Sequence, residues 1–180
     1  MRIQVRTDER PRRTFDQRLL LRFPRLTAAY VRLVGKLPPS SRLRQAAITR
    51  GIRLGVEAYN RRDLDAAVVG WDPGFDYHPG SDWVEAGLVE PSYRGLEGYR
   101  RYVAAADEAA GGDLYLRSVE LIDLGSSLLI LADAPVRGQA RATKATDPYA
   151  ALTTLRNGRV IHAQEFFDHA KALEAAGLSE

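Results

Sequence analysis

The chain has 180 residues, 45% of them hydrophobic and 27% charged, with a formal net charge of +3 and no cysteine. That composition fits one globular domain with a short extension and excludes disulfides, thiolate metal sites and a cysteine nucleophile. No apolar run approaches the length of about 18 residues that a membrane helix needs, and the opening MRIQVRTDERPRRTF lacks the apolar stretch of a signal peptide, so a soluble, cytoplasmic protein is expected.

Charge is unevenly distributed. Residues 1–62 carry 16 Lys and Arg against 4 Asp and Glu, whereas residues 63–180 carry 10 against 19. The asymmetry predicts a basic segment lying over an acidic body or a partner subunit, with contact to nucleic acid or a membrane as the alternative. Residues 1–40 read as a basic, partly helical extension and residues 41–180 as the domain proper.

Residues 1–14 are polar, Arg-rich and broken by Pro11, and no regular structure is expected there. From Phe15 to Leu37 the apolar residues Phe15, Leu19, Leu20, Phe23, Leu26, Tyr30, Leu33, Val34 and Leu37 recur at helical spacing. Pro24 divides the stretch into two helices, whose apolar residues are expected to pack on the domain. Pro38-Pro39 ends it, and Ser40 or Ser41 caps a helix over 43–60. Asp63 opens a short helix over 64–69. A strand over 75–78 stops at Pro79-Gly80, and residues 81–94 read as a loop or lid carrying Trp83. A helix over 96–110 ends at Gly111-Gly112. Strands are predicted over 114–124, 128–134, 136–143 and 149–156, and an Asn157-Gly158 turn leads into a last strand over 160–167. Asp168 caps a final helix over 169–176. Helices first and a meander of strands afterwards give an α+β domain with an antiparallel sheet.

Over residues 43–178 this pattern resembles the SnoaL-like group of the nuclear transport factor 2-like superfamily, which also holds relatives of ketosteroid isomerase and limonene epoxide hydrolase. The resemblance is carried by the stretch Glu57-Ala58-Tyr59-Asn60-Arg61-Arg62-Asp63-Leu64-Asp65 and by Asp72-Pro73-Gly74-Phe75-Asp76-Tyr77-His78-Pro79. Tyr93-Arg94-Gly95-Leu96-Glu97-Gly98-Tyr99 follows, and then Asn157-Gly158-Arg159-Val160 with Glu165 and Asp168. It implies a cone-shaped fold in which a curved sheet wraps on helices around an apolar pocket, and which usually dimerises through the outer sheet face. The superfamily hosts isomerases, aldol cyclases, dehydratases, hydrolases and proteins without catalysis, so the fold does not fix the function.

Alternation along the last strand places Ile161, Ala163, Glu165 and Phe167 on one side and Val160, His162, Gln164 and Phe166 on the other. Glu165 thus falls among apolar neighbours, where desolvation raises a carboxyl pKa into the range of a general acid or base near neutrality. The alternative is an ion pair with Arg117, Arg137 or Arg141 on neighbouring strands. The resemblance implies an acid/base role for Glu165, at the position of the acidic residue of SnoaL-like polyketide cyclases. It implies a second such role for His78, at the place of the ketosteroid isomerase base before a proline. The second acid of that isomerase falls at Ala150, which speaks against a steroid isomerase. Strict alternation, however, points His78 away from the face of Phe75 and Tyr77.

Tyr59, Trp83, Tyr99 and Tyr149 are candidates to line the pocket, as is Trp71. His162 belongs to the outer surface. Three scattered histidines make no metal signature, and the phosphate-loop and dinucleotide glycine patterns are absent, so no metal and no cofactor are expected. The reading is a pocket for a small apolar molecule. It describes a cofactor-independent lyase, isomerase or cyclase acting on a carbonyl compound, with a non-catalytic ligand-binding or interaction module as the alternative. A homodimer is expected, because Val160 and Phe166 would expose apolar area on the outer sheet face.

Overall fold

The computed structural model describes residues 2–5, 12–136 and 148–178. One sheet organises them. Its strands are β1 (Arg2–Val5), β2 (Trp71–His78), β3 (Tyr93–Arg94), β4 (Arg117–Asp123), β5 (Ser127–Asp133), β6 (Pro148–Arg156) and β7 (Arg159–Phe166). They lie in the order β1-β4-β5-β6-β7-β2-β3, curved and unclosed. Every pairing is antiparallel except β2 with β7, which run parallel. The expected α+β class and meander are present. The parallel pairing is a long-range contact that local pattern does not announce.

The helices are α1 (Phe15–Arg22), α2 (Pro24–Gly35), α3 (Arg42–Asn60), α4 (Leu64–Ala67), α5 (Ser81–Glu85), α6 (Gly95–Ala110) and α7 (His169–Ala175). Their ends follow from local chemistry. Thr14 and Gln17 form a reciprocal capping box on α1, Pro24 occupies the first turn of α2, and the Ser41 and Asp168 side chains cap α3 and α7. Gly111 closes α6 in the left-handed region. On the inner sheet face, Tyr99, Tyr102, Val103 and Ala106 of α6 pack with Phe75, Tyr77 and Ala163, while Val56 of α3 packs with Val119, Leu121 and Leu128. On the outer face, α7 sets Ala172 against Leu129, Leu131 and Ala150.

Three sequence expectations change, and a fourth falls almost wholly outside the described residues. The first residues are not without structure, since Arg2–Val5 pair with β4 and extend the sheet edge. The loop expected over 81–94 contains α5 and β3. Of the strand expected over 136–143, only Val136 lies within the described residues, bridged to Leu114. Finally, a register shift between β6 and β7 leaves Ile161 as an extra residue, because Thr154 faces His162 while Leu155 faces Val160. That bulge turns Val160 inward, where it is 8% exposed, and the strict alternation holds only beyond it. Phe166 remains on the outer face and packs beside Leu129 and Ala172. The two residues on which the expected dimer face rested therefore find cover within the chain.

The N-terminal helices close one side of the inner face with only part of the expected stripe, Leu20, Val34 and Leu37, which are half-buried. Phe15, Leu19, Phe23, Leu26, Tyr30 and Leu33 are exposed, whereas Gln17 and Thr27 are buried. The buried side is selected by specific contacts. The Gln17 amide donates to the Leu54 carbonyl at 2.7 Å and accepts from Arg61 at 2.8 Å, and the Thr27 hydroxyl donates to the Leu20 carbonyl at 2.8 Å. α2 also reaches the Asn157-Gly158 turn so closely that a Cβ on Gly158, which has a φ of 76°, would lie 2.1 Å from the Val31 carbonyl oxygen.

Arg44 fastens this arrangement. Its buried guanidinium makes a bidentate pair with Asp123 at 2.7 and 2.9 Å and donates to the carbonyls of Gly35, Leu37 and Gly125. It thereby joins the end of α2, the start of α3 and the β4–β5 turn. Removing one partner would leave the other charge buried and unpaired. Arg44→Ala is expected to cost about 3–5 kcal/mol in urea unfolding at pH 7.

Candidate functional site

Glu165 stands near the end of β7, opposite Ala151 across the β6 pairing, and is 2% exposed. Three groups hold its carboxylate. The Tyr102 hydroxyl lies 2.6 Å from both oxygens, the Tyr77 hydroxyl donates to Oε1 at 3.1 Å, and the Gly80 amide donates to Oε2 at 3.1 Å. None of these is a cation, and among the described residues no arginine reaches the carboxylate. The ion-pair alternative had named Arg117, which instead lies by Asp133 at 3.9 Å; Arg137 and Arg141 fall outside the described residues.

Each donor has a structural origin. Tyr77 points inward from β2, directly across the parallel pairing from Ala163. Tyr102 lies one helical turn beyond Tyr99 on the inner face of α6. Gly80 can bring its N–H to the carboxylate because it has no side chain: a Cβ there would meet the Phe167 ring at 2.6 Å. Phe167 in turn rests on Trp83, with ring centroids 4.7 Å apart.

Burial pushes the Glu165 carboxyl up to about 7, against the opposing pull of the Tyr102, Gly80 and Tyr77 hydrogen bonds. The same burial, with the carboxylate nearby, holds the Tyr77 and Tyr102 hydroxyls well above their ordinary value. These tyrosines are therefore donors and proton carriers rather than phenolates at neutral pH.

Beside this cluster lies an apolar cavity of about 230 Å³, between the inner sheet face and helices α1, α2 and α3. Of the residues the sequence offered for a pocket, Tyr59, Trp71, Tyr99 and Tyr149 lie around it. Trp83 does not; it belongs to the Phe167 contact over Gly80. Glu165 sits behind the wall, and the wall residue whose side chain hydrogen-bonds it is Tyr77. The Tyr77 hydroxyl lies 3.5 Å from that of Tyr149, so a chain of oxygens leads from the carboxylate to the cavity.

His78 is not brought to this cluster. It follows Tyr77 on a regular part of β2 and therefore projects from the opposite face, where its ring meets that of His162 at a centroid distance of 4.8 Å. His162 is held below its ordinary pKa by partial burial first and by His78 second. The expected partnership of His78 with Glu165 is thus corrected by strand parity, and the partners found instead are Tyr77 and Tyr102. Tyr77 was visible as an inward residue of its strand. Tyr102 had a usable signal in its three-residue spacing from Tyr99, but its meeting with Glu165 depends on how α6 crosses the sheet.

With this geometry in view, comparison with solved structures places the architecture. A protein named TerC, co-crystallised with polyporic acid, superimposes with a TM-score of 0.53 at 21% identity, covering 69% of this chain and 94% of that one. The chain has the nuclear transport factor 2-like fold. An NTF2-like protein of unknown function from Burkholderia pseudomallei matches with the same TM-score and identity, over 69% of this chain and 93% of its own. A SnoaL-like protein of unknown function from Burkholderia thailandensis gives 0.51 at 19% identity, over 71% and 97%. No protein-family model and no curated protein matches the sequence. Among the described residues, no helix is long and apolar enough to cross a membrane, and no cluster of His, Asp or Glu could hold a metal ion.

The raised carboxyl pKa makes a stability prediction. An acid whose folded pKa exceeds its unfolded value of 4.5 stabilises the fold fully below pH 4.5, and the contribution is lost as pH rises through about 7. Relative to the Glu165→Gln variant, the wild type should lose about 2–3 kcal/mol between pH 4.5 and pH 8, read by urea unfolding across that range. A pH-independent difference would mean that the carboxyl does not titrate there.

Proposed function

We propose that the protein is a small-molecule pocket enzyme that uses cofactor-independent acid/base chemistry on an apolar carbonyl compound. The observation that carries this reading is a buried carboxyl poised near neutrality and linked to an apolar cavity through tyrosine hydroxyls. A group with a pKa near the working pH is present as both acid and base, the condition that favours proton transfer. A carbonyl oxygen seated against Tyr149 would receive a hydrogen bond from a neutral phenol, and charge developing on it as an enolate would strengthen that bond. Glu165 takes up or returns the proton through Tyr77. Tyr59 and Tyr99 supply the apolar wall, Tyr102 and Gly80 hold the carboxylate, and His78 has no part in this scheme. Lyase, isomerase and cyclase reactions all use this step.

A second reading, a binding module without turnover, is favoured by the placement of Glu165 behind the cavity wall rather than on it. Both readings take a small apolar ligand, and the polyporic acid held by TerC is in keeping with that use of the fold.

Solvent-deuterium exchange next to the carbonyl of a bicyclic ketone such as 2-tetralone, followed by NMR, separates the readings. The wild type should accelerate exchange, with a rate that rises with pH through about 7 as Glu165 loses its proton. Glu165→Gln should lose about 100-fold or more, and Tyr77→Phe about 10-fold or more. Saturable binding of the ketone by calorimetry without any acceleration would leave the binding module.

A further inference from the structure

The exposed row on α1 and α2 has no partner within the described residues. Phe15 is 76% exposed, Leu26 67% and Leu33 63%, and Leu19, Phe23 and Tyr30 continue the row. On α2, Leu26, Tyr30 and Leu33 recur at helical spacing next to the inward side of Thr27 and Val34, and Arg25, Arg32 and Lys36 form a second exposed row on their other flank. Arg18 and Arg22 stand exposed on α1, with the Arg22 guanidinium 5.8 Å from the centre of the Phe23 ring.

The charge surrounding this row decides what can cover it. Residues 12–56 hold eleven Lys and Arg and a single acid, Asp16; Arg50 pairs with Asp16, Arg13 with Asp63 and the buried Arg44 with Asp123, which leaves Arg18, Arg22, Arg25, Arg32 and Lys36 exposed along the row. A second copy docking through the same face would set cations against cations with no carboxylate to meet them. A nucleic-acid site would use the arginines and leave large apolar side chains in water. Apolar residues along one side of a helix with a cationic row beside them match the interface of an anionic bilayer, where the apolar side enters the acyl boundary and the guanidinium groups meet lipid headgroups.

The cavity points the same way. Of the residues that line it, Tyr30 and Gly51 are the exposed ones among the described residues, so the cavity reaches the surface between α2 and α3. Tyr30 belongs to the apolar row itself. The mouth therefore opens beside the cationic, apolar face, where a ligand of low water solubility would be concentrated.

We propose that α1 and α2 dock this protein peripherally on an anionic lipid surface, with the cavity mouth at the bilayer interface. The proposal does not depend on Glu165.

The test is flotation of the full-length protein with phosphatidylcholine vesicles with and without phosphatidylglycerol. The wild type should bind the anionic vesicles, and added salt should weaken that binding. Each basic residue near such a surface contributes about fivefold, so Arg18→Gln/Arg25→Gln/Arg32→Gln should reduce the association constant by roughly 100-fold. Leu26→Ser/Leu33→Ser should reduce it by about 10-fold or more, with an unchanged melting temperature because both side chains are already exposed. Glu165→Gln should bind as the wild type does, so failure here and failure of the acid/base reading are distinguishable. No wild-type binding to anionic vesicles would overturn the proposal. So would a dimer in sedimentation that Leu26→Ser/Leu33→Ser dissociates without any vesicle binding, which would assign the row to a second copy.

Discussion

A buried carboxylate that meets no cation among the described residues is the constraint around which the inner half of this molecule is arranged. Glu165 is held by the hydroxyls of Tyr77 and Tyr102 and the amide of Gly80, which together offset part of its desolvation and leave its pKa near 7. An arginine in their place would have fixed the charge and removed the group from acid/base use near neutrality. Phenols stabilise the anion less, and their own hydroxyls stay protonated. The result is a site in which the carboxyl is electrostatically undecided and its partners are permanent donors.

Assembling those donors requires three separate elements. Parallel pairing of β2 with β7 sets Tyr77 beside the glutamate strand, the crossing of α6 over the inner face delivers Tyr102, and the turn after β2 presents the Gly80 amide. The aromatic contacts reinforce one another: the Tyr77 ring lies 4.6 Å from that of Tyr102 and 5.0 Å from that of Tyr99. Packing of this kind limits rotation about the side-chain bonds and keeps the hydroxyls on the carboxylate.

The N-terminal helices add the other half of the cavity. Gln17 and Thr27 face inward beside Leu20, Val31 and Val34, while the arginines and the apolar row from Phe15 to Leu33 face outward, so apolar surface lies on both sides of these helices. Gln17 and Thr27 are satisfied by named backbone carbonyls, so their burial costs little, while the Arg44 clasp and the Gly158 contact fix how close α2 can come. Residues 1–40, which read as an extension in the sequence, thus supply both a strand to the sheet edge and a wall to the cavity.

The sequence alone determined what depends on near neighbours. Helix ends at Thr14, Pro24, Ser41, Asp168 and Gly111 are local capping chemistry, and the order of helices and strands, the Asn157-Gly158 turn and the inward direction of Glu165 follow from periodicity and turn preferences. Tertiary structure decided everything that depends on which distant surfaces meet. The bulge at Ile161 turned Val160 inward, the parallel pairing of β2 with β7 set His78 beside His162, and the hydrogen bonds of Gln17 with Leu54 and Arg61 fixed the buried side of α1. Periodicity names the two faces of an element, but the buried face is chosen by the free energy of contacts with residues far away in the chain, and no local pattern contains that sum.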